Sequence, residues 1–232
     1  MSERREPGIP ASSERGPSGP ATESPRAEGM TTAGTPRNEP RIAPLPVDEW
    51  SDEVRAGIAA MRPPDERHEL KRRKGGPKAL NALGTLARHP ELMHGFHTFN
   101  GHILFTSTLM PRERELLVLR VAKLRDATYE WAQHVFVGQD AGLGDDEIAR
   151  IAEGPDAEGW APLDAAMLRA VDELIADATI SDATWTVLAE TLDEHQLMDL
   201  VFTVGAYEVL AMAFNSFRVQ LDDDLTPKDA TT

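Results

Sequence analysis

Beyond Arg41 the apolar residues recur at helical spacing almost without interruption. Trp50, Val54, Ile58 and Met61 form one stripe, and Leu92, Phe96, Phe99 and Ile103 form another. No segment alternates as a strand would. Pro63-Pro64 is expected to end the first helix, and the charged, glycine-bearing run from Lys71 to Pro77 to form a mobile loop ahead of a helix over Ala79 to Arg88. Pro90 and Pro111 suit the first turn of new helices, where a missing N–H costs nothing. Gly142 is placed to stop a helix over Thr128 to Ala141, so the chain from Pro111 to Gly142 reads as a tight helical hairpin. Shorter helices are expected over Asp145 to Ala152 and Pro162 to Ala176. Ser181 caps another carrying Trp185 and Leu188, and a long helix from Glu194 to Gln220 closes the domain. The predicted class is an all-α bundle built on a central two-helix hairpin.

The two ends of the chain do not share this pattern. Residues 1–40 are rich in proline and lack aromatic side chains, a composition that buries too little surface to offset ordering entropy, so a disordered tail is expected there. Met30 is a candidate alternative start within it. Residues 41–222 then form one domain. The acidic run Asp222-Asp223-Asp224 opens a solvated end, and residues 223–232 are expected to be flexible. The tail has no apolar segment of the secretory kind. The most apolar stretch, Leu200 to Phe214, is short for a membrane span and carries Glu208, so a cytoplasmic protein away from the membrane is expected.

Composition removes several chemistries. The 232 residues include no cysteine, which excludes disulfides, thiolate metal sites and thiol peroxidase chemistry. A formal charge of −15 repels phosphate backbones, and the basic run Lys71 to Lys74 is short and lacks interleaved aromatics, so no nucleic-acid partner is expected.

The informative charged residues are those inside apolar stripes. At about 100° per residue Glu115 falls within the arc of Val118, Leu119 and Ala122. On the next helix Glu130 and His134 share a face with Val137, Gly138 and Ala141. Small residues beside ionisable ones leave room for a ligand, and Trp131 would wall the pocket and lower its dielectric. Burial raises a carboxyl, and a neighbouring imidazole shares its proton, so Glu115 with His134 is the preferred general acid/base pair. The competing reading is that the two satisfy each other in the core, and periodicity does not separate these.

The stretch Pro-Arg-Glu-Arg-Glu-Leu-Leu-Val-Leu-Arg…Tyr-Glu-Trp-Ala-Gln-His…Ala-Gly-Leu, from Pro111 to Leu143, resembles the signature hairpin of the carboxymuconolactone decarboxylase superfamily. The likeness extends more weakly from Arg41-Ile-Ala-Pro-Leu-Pro to the last helix. In the alkylhydroperoxidase D branch a glutamate and a histidine relay protons to a Cys-x-x-Cys pair. Glu115 and His134 fall at the relay positions, while Ala127 and Glu130 occupy those of the cysteines. The Tyr-Glu-Trp-x-x-His form is similar instead to the decarboxylase-like branch, whose named reaction needs no metal or organic cofactor. That resemblance implies proton transfer to a small carboxylated lactone or enolisable carbonyl substrate by His134 or Glu115, with Glu130 tuning His134. Tyr129, about 140° round the helix from His134, takes a minor role. His102 sits at the edge of its stripe and is a further pocket candidate. The resemblance also implies a homo-oligomer, a trimer or hexamer, with Tyr207, Phe214 and Phe217 either in the interface or in the core.

Two other classes remain open. Glu130 and His134 have the one-turn spacing of metal ligands, and His94 with His97 is a second pair; because the latter lie opposite the Leu92 stripe, a solvated or intersubunit position is expected for them. The third class is a non-catalytic member of the family whose pocket only binds a small molecule.

Overall fold

The structure, a computed structural model, describes residues 39–68 and 76–225. The tail expected over 1–40 (apart from its last two residues), most of the loop expected over Lys71 to Pro77 and the end beyond Leu225 lie outside the described residues.

Helix α1 (Asp52–Ala59) starts where the Ser51 hydroxyl accepts the Val54 N–H, and ends before the prolines expected to stop it. Helix α2 (Leu80–Leu86) follows Ala79, whose φ of 57° is left-handed. Helix α3 (Pro90–Gly101) runs directly into a π turn (His102–Thr106). The hairpin consists of α4 (Pro111–Leu124) and α5 (Thr128–Asp140), and Gly142, at φ 101°, takes the backbone out of α5 as a glycine without Cβ can. Helices α6 (Asp145–Glu153), α7 (Pro162–Asp177), α8 (Asp182–Ala189) and α9 (Glu194–Phe217) complete an all-helical architecture with no strand among the described residues. Helix α9 stops short of Gln220 because Arg218 turns left-handed, with φ 55°.

Helix α4 is the centre, packed by α5, α6, α7 and α9. Every residue from Arg114 to Ala122 is buried. A helix enclosed on all sides must find partners for any polar side chain it carries, since an unpaired buried charge costs several kcal/mol. Arg120 therefore grips Asp172 with two parallel bonds of 2.7 and 2.8 Å, and donates to the Ile151 carbonyl. Helix α9 is long and apolar enough to cross a membrane by length and composition, yet 56% of its apolar window is buried against this bundle and it carries Asp199 and Glu208, which fits a core helix.

The α3 stripe is met only in part. Phe96 and Ile103 face inward as expected, but Leu92 and Phe99 are exposed, and Met93, His97 and Asn100 turn inward against α1 and the bundle. On α9, Tyr207 and Phe214 are core residues, and it is Met198, Phe202, Val209 and Met212 that lie outside, with Phe202 edge-on to Phe99 at 6.1 Å. The acidic end also differs: Asp222 is buried, and its carboxylate ties the end of the chain to α2 and α5.

Candidate active site

The site begins at the end of α3. The carbonyls of a helix's last turn lack intrahelical partners, and the Leu104 carbonyl in the π turn accepts from Arg114 Nη1 at 2.8 Å. Arg114 is thereby fixed, and its Nε donates to Glu115 Oε1 at 2.8 Å. The other oxygen, Oε2, accepts from His134 Nδ1 at 2.7 Å across the hairpin. Burial alone would raise the Glu115 carboxyl, but His134 and Arg114 together outweigh it, so Glu115 is held below the usual carboxylate range. The sequence reading expected this carboxyl to be raised; the buried arginine beside it reverses the sign. With Nδ1 committed to a carboxylate, His134 presents Nε2 as its other proton-exchanging atom. Glu115 is fully enclosed and the imidazole side chain retains 14% exposure, so of the two it is the histidine that is open to the cavity. Tyr207 closes over the ring edge-on, centroids 4.9 Å apart.

His134 lines a cavity of about 140 Å³ whose apolar walls include Leu83 and Leu86 of α2, Phe96 of α3, and Leu210 and Phe214 of α9. An apolar cavity of roughly 150 Å³ accommodates a benzene ring, so this one is scaled to a single small ring. Glu130 also lines it, but not in the expected role. It was to tune His134, yet neither of its oxygens has a hydrogen-bond partner. Burial, with Glu208 and Glu115 adding negative charge, pushes its carboxyl well above the usual range, which favours the protonated form at the cavity wall. The fold therefore pushes one carboxyl down and the other up, flanking one imidazole, which is the separation of environments that acid/base chemistry uses.

Because its folded-state proton is held more tightly than in the unfolded chain, Glu130 opposes folding once pH rises above the unfolded carboxyl value, and does not below it. Glu130→Gln is expected to be more stable than the parent at neutral pH. The gap should open near pH 4 and widen by about 1.4 kcal/mol per pH unit until the folded carboxyl itself ionises. Urea unfolding across pH 4 to 8 measures this; a gap independent of pH would show that Glu130 is ionised in the fold.

Tyr129, given a minor role from sequence, lines the cavity and forms a latch. Its hydroxyl donates to Asp222 Oδ2 at 2.6 Å and accepts the Ala82 N–H, while Asp222 Oδ1 accepts the Asn81 N–H at 2.8 Å. Burial, then Asp222, pushes the phenol far up, so it stays a donor. Tyr129→Phe is expected to lower stability by about 1–3 kcal/mol, the cost of stranding buried polar groups, and a thermal melt unchanged from the parent would remove the latch.

Three other expectations are corrected. Trp131 packs between the hydrophobic clusters and does not wall the cavity. Gly138 is a close-packing position, where a Cβ would meet Leu143 and Leu119 side chains at 3.1 and 3.3 Å. His102 lies outside the cavity, bonding Asp199 at 2.7 Å and Thr106 at 2.9 Å. The His94 and His97 pair is split, His94 being exposed and His97 buried in the cavity wall. Among the described residues no three His, Asp or Glu side chains converge as a metal-ligand set. Arg114, His97, Asn100 and Tyr207 are the site residues that periodicity missed or placed elsewhere.

The fold is all-helical, of the alkylhydroperoxidase D kind, and carries a small apolar cavity beside a glutamate–histidine pair. Residues 90–173 match the model of the carboxymuconolactone decarboxylase family. Solved structures with the same fold include the debrominase Bmp8 in complex with 2,3,4-tribromopyrrole, 12% identical with a TM-score of 0.59 over 79% of this chain and 92% of that one. An alkylhydroperoxidase AhpD-core, peroxidase-related protein of Ralstonia eutropha JMP134 is 15% identical, with a TM-score of 0.57 over 70% and 95% of the two chains. A protein of unknown function from Agrobacterium tumefaciens is 19% identical, with a TM-score of 0.55 over 59% and 94%. No curated protein matches the sequence.

Proposed function

We propose that this protein is a cofactor-independent acid/base enzyme of the decarboxylase-like kind, acting on a small carboxylated lactone or an enolisable carbonyl compound. The observation that carries this reading is the 2.7 Å bond from His134 Nδ1 to a buried Glu115 carboxylate at the wall of an apolar cavity. Glu115 fixes the tautomer and steadies the imidazolium; His134 Nε2 exchanges the proton; Glu130, protonated, donates a hydrogen bond to the oxygen on which negative charge develops. In a decarboxylation the bond to the carboxylate carbon breaks, its electron pair passes into the conjugated carbonyl, carbon dioxide leaves, and the enolate carbon takes the proton from His134. In an isomerisation the same nitrogen first removes a proton and then returns it.

Charge supports the carboxylated case. Arg114 and Glu115 cancel, so a proton on His134 leaves one positive charge beside the cavity to meet a monoanion. Of the relatives, Bmp8 shows that this fold holds a small substituted ring in another protein, which agrees in scale with the cavity here. Thiol peroxidase chemistry is disfavoured because the chain has no cysteine. The exposed apolar side chains of α3 and α9 support assembly as a homo-oligomer, and the reading includes a cytoplasmic location.

The test is a panel of carboxylated lactones and β-keto acids, offered to metal-free wild type and to His134→Ala with carbon dioxide and product mass followed together. Turnover by the wild type that is lost in the variant is the expected result. Equal turnover by both proteins would overturn the assignment.

A further inference from the structure

The cavity has a second polar wall, on α3, that the mechanism above does not use. His97 and Asn100, three residues apart and so on one helical face, both line it and are both buried. His97 Nδ1 lies 3.0 Å from the Gly57 carbonyl, which only accepts, so Nδ1 carries the hydrogen. Burial, the largest influence on the ring, pushes its proton affinity down and favours the neutral ring, in which Nε2 is a lone-pair acceptor once Nδ1 carries the hydrogen. Asn100 Oδ1 is enclosed with no hydrogen-bond partner. An enclosed acceptor without a donor is costly, and buried polar groups in folded proteins are nearly always satisfied by protein, water or ligand. Among the described residues no lysine or arginine lines the cavity.

We propose that His97 Nε2, with Asn100 beside it, selects a ring bearing a hydrogen-bond donor, a hydroxyl or ring N–H, over the same ring bearing an ether at that end. This deepens the proposed function and rests on it for the identity of the reacting end: the substrate is a small ring with its carbonyl or scissile carboxylate toward His134 and Glu130 and an O–H or N–H toward α3. An ether oxygen against His97 Nε2 would set lone pair against lone pair, whereas a hydroxyl supplies the hydrogen that His97 Nε2 and Asn100 Oδ1 lack; the Asn100 N–H2 can still donate to either oxygen, so the discrimination falls mainly on His97. A site built to receive a donor discriminates against the analogue without one because its own buried groups are then stranded.

The experiment is calorimetric binding of phenol and anisole to the full chain, the two sharing one ring and differing in the group offered. Wild type is expected to bind phenol about tenfold more tightly than anisole, as one neutral hydrogen bond allows. His97→Phe should erase the preference for phenol over anisole, while Asn100→Leu should keep most of it and His97→Gln, which keeps an acceptor, should retain part of it. Equal binding of phenol and anisole by wild type overturns the inference, as does a preference that survives in His97→Phe. His134→Ala separates the two readings: it is expected to keep the phenol preference while losing turnover. Loss of turnover without any phenol preference in wild type leaves the acid/base reading standing and removes this one; the preference present with no turnover in any protein does the reverse for the acid/base step.

Discussion

Alanine at His134 is expected to lower turnover about 10²- to 10⁴-fold while leaving the helical fold in place, the range a positioned proton-transfer group commonly supplies. The imidazole is the group that meets both Glu115 and the cavity, and no second histidine stands behind it at hydrogen-bond distance from Glu115. Its removal leaves Glu115 Oε1 still bonded to Arg114, so the buried carboxylate keeps a counter-ion and the bundle is not left with an isolated charge. The effect should therefore fall on kcat with little change in the far-ultraviolet circular dichroism. A variant retaining a tenth or more of wild-type turnover would place the proton transfer elsewhere.

Glu115→Ala should behave differently, losing stability as well as activity. Arg114 is only 1% exposed, and without Glu115 its guanidinium keeps a single carbonyl partner, Leu104. Removing one member of a buried ion pair costs about 3–5 kcal/mol, which in a domain of this size corresponds to a fall in melting temperature on the order of 10 °C. Glu115→Gln, whose single amide oxygen can still accept from Arg114 while its N–H2 donates to His134 Nδ1 in the other tautomer, should lose less stability but comparable turnover, since an amide cannot steady an imidazolium. Calorimetric melting of the two variants separates the roles. Equal melting temperatures for Glu115→Ala and wild type would mean that Arg114 is solvated in the fold.

Much of this architecture was legible in the residues. The prolines at 90 and 111, the Ser181 cap and the stop at Gly142 lie where local backbone chemistry puts them, because each depends only on a few neighbouring residues. The Glu115 and His134 pairing was also readable, since both are polar positions inside stripes of a hairpin whose two helices must touch. The inward face of α3 was legible only in part. Phe96 and Ile103 of its stripe turn inward, but Leu92 and Phe99 are left outside, and Met93, His97 and Asn100 are buried against α1 and the cavity. Periodicity weighs the apolar positions alone and does not register the polar ones that a cavity wall takes in. For the same reason Arg114 escaped notice: a charged residue at the start of a helix normally reaches solvent, and only the enclosure of α4 by four neighbours denies it that route. The pKa inversion between Glu115 and Glu130 follows from these placements and was beyond the reach of spacing.

The chain of contacts from the Leu104 carbonyl through Arg114 and Glu115 to His134 also constrains how such a site can change over generations. Each member is the buried partner of the next, so a single replacement at either end of the ion pair strands a charge, whereas apolar replacement of both together does not. Routes to a new chemistry at this cavity therefore run through paired substitutions, or through Glu130 and Asn100, whose side-chain oxygens have no protein partner to strand. The adaptable part of the pocket is the part facing the ligand's far end, and the proton-handling core is locked by its own interdependence.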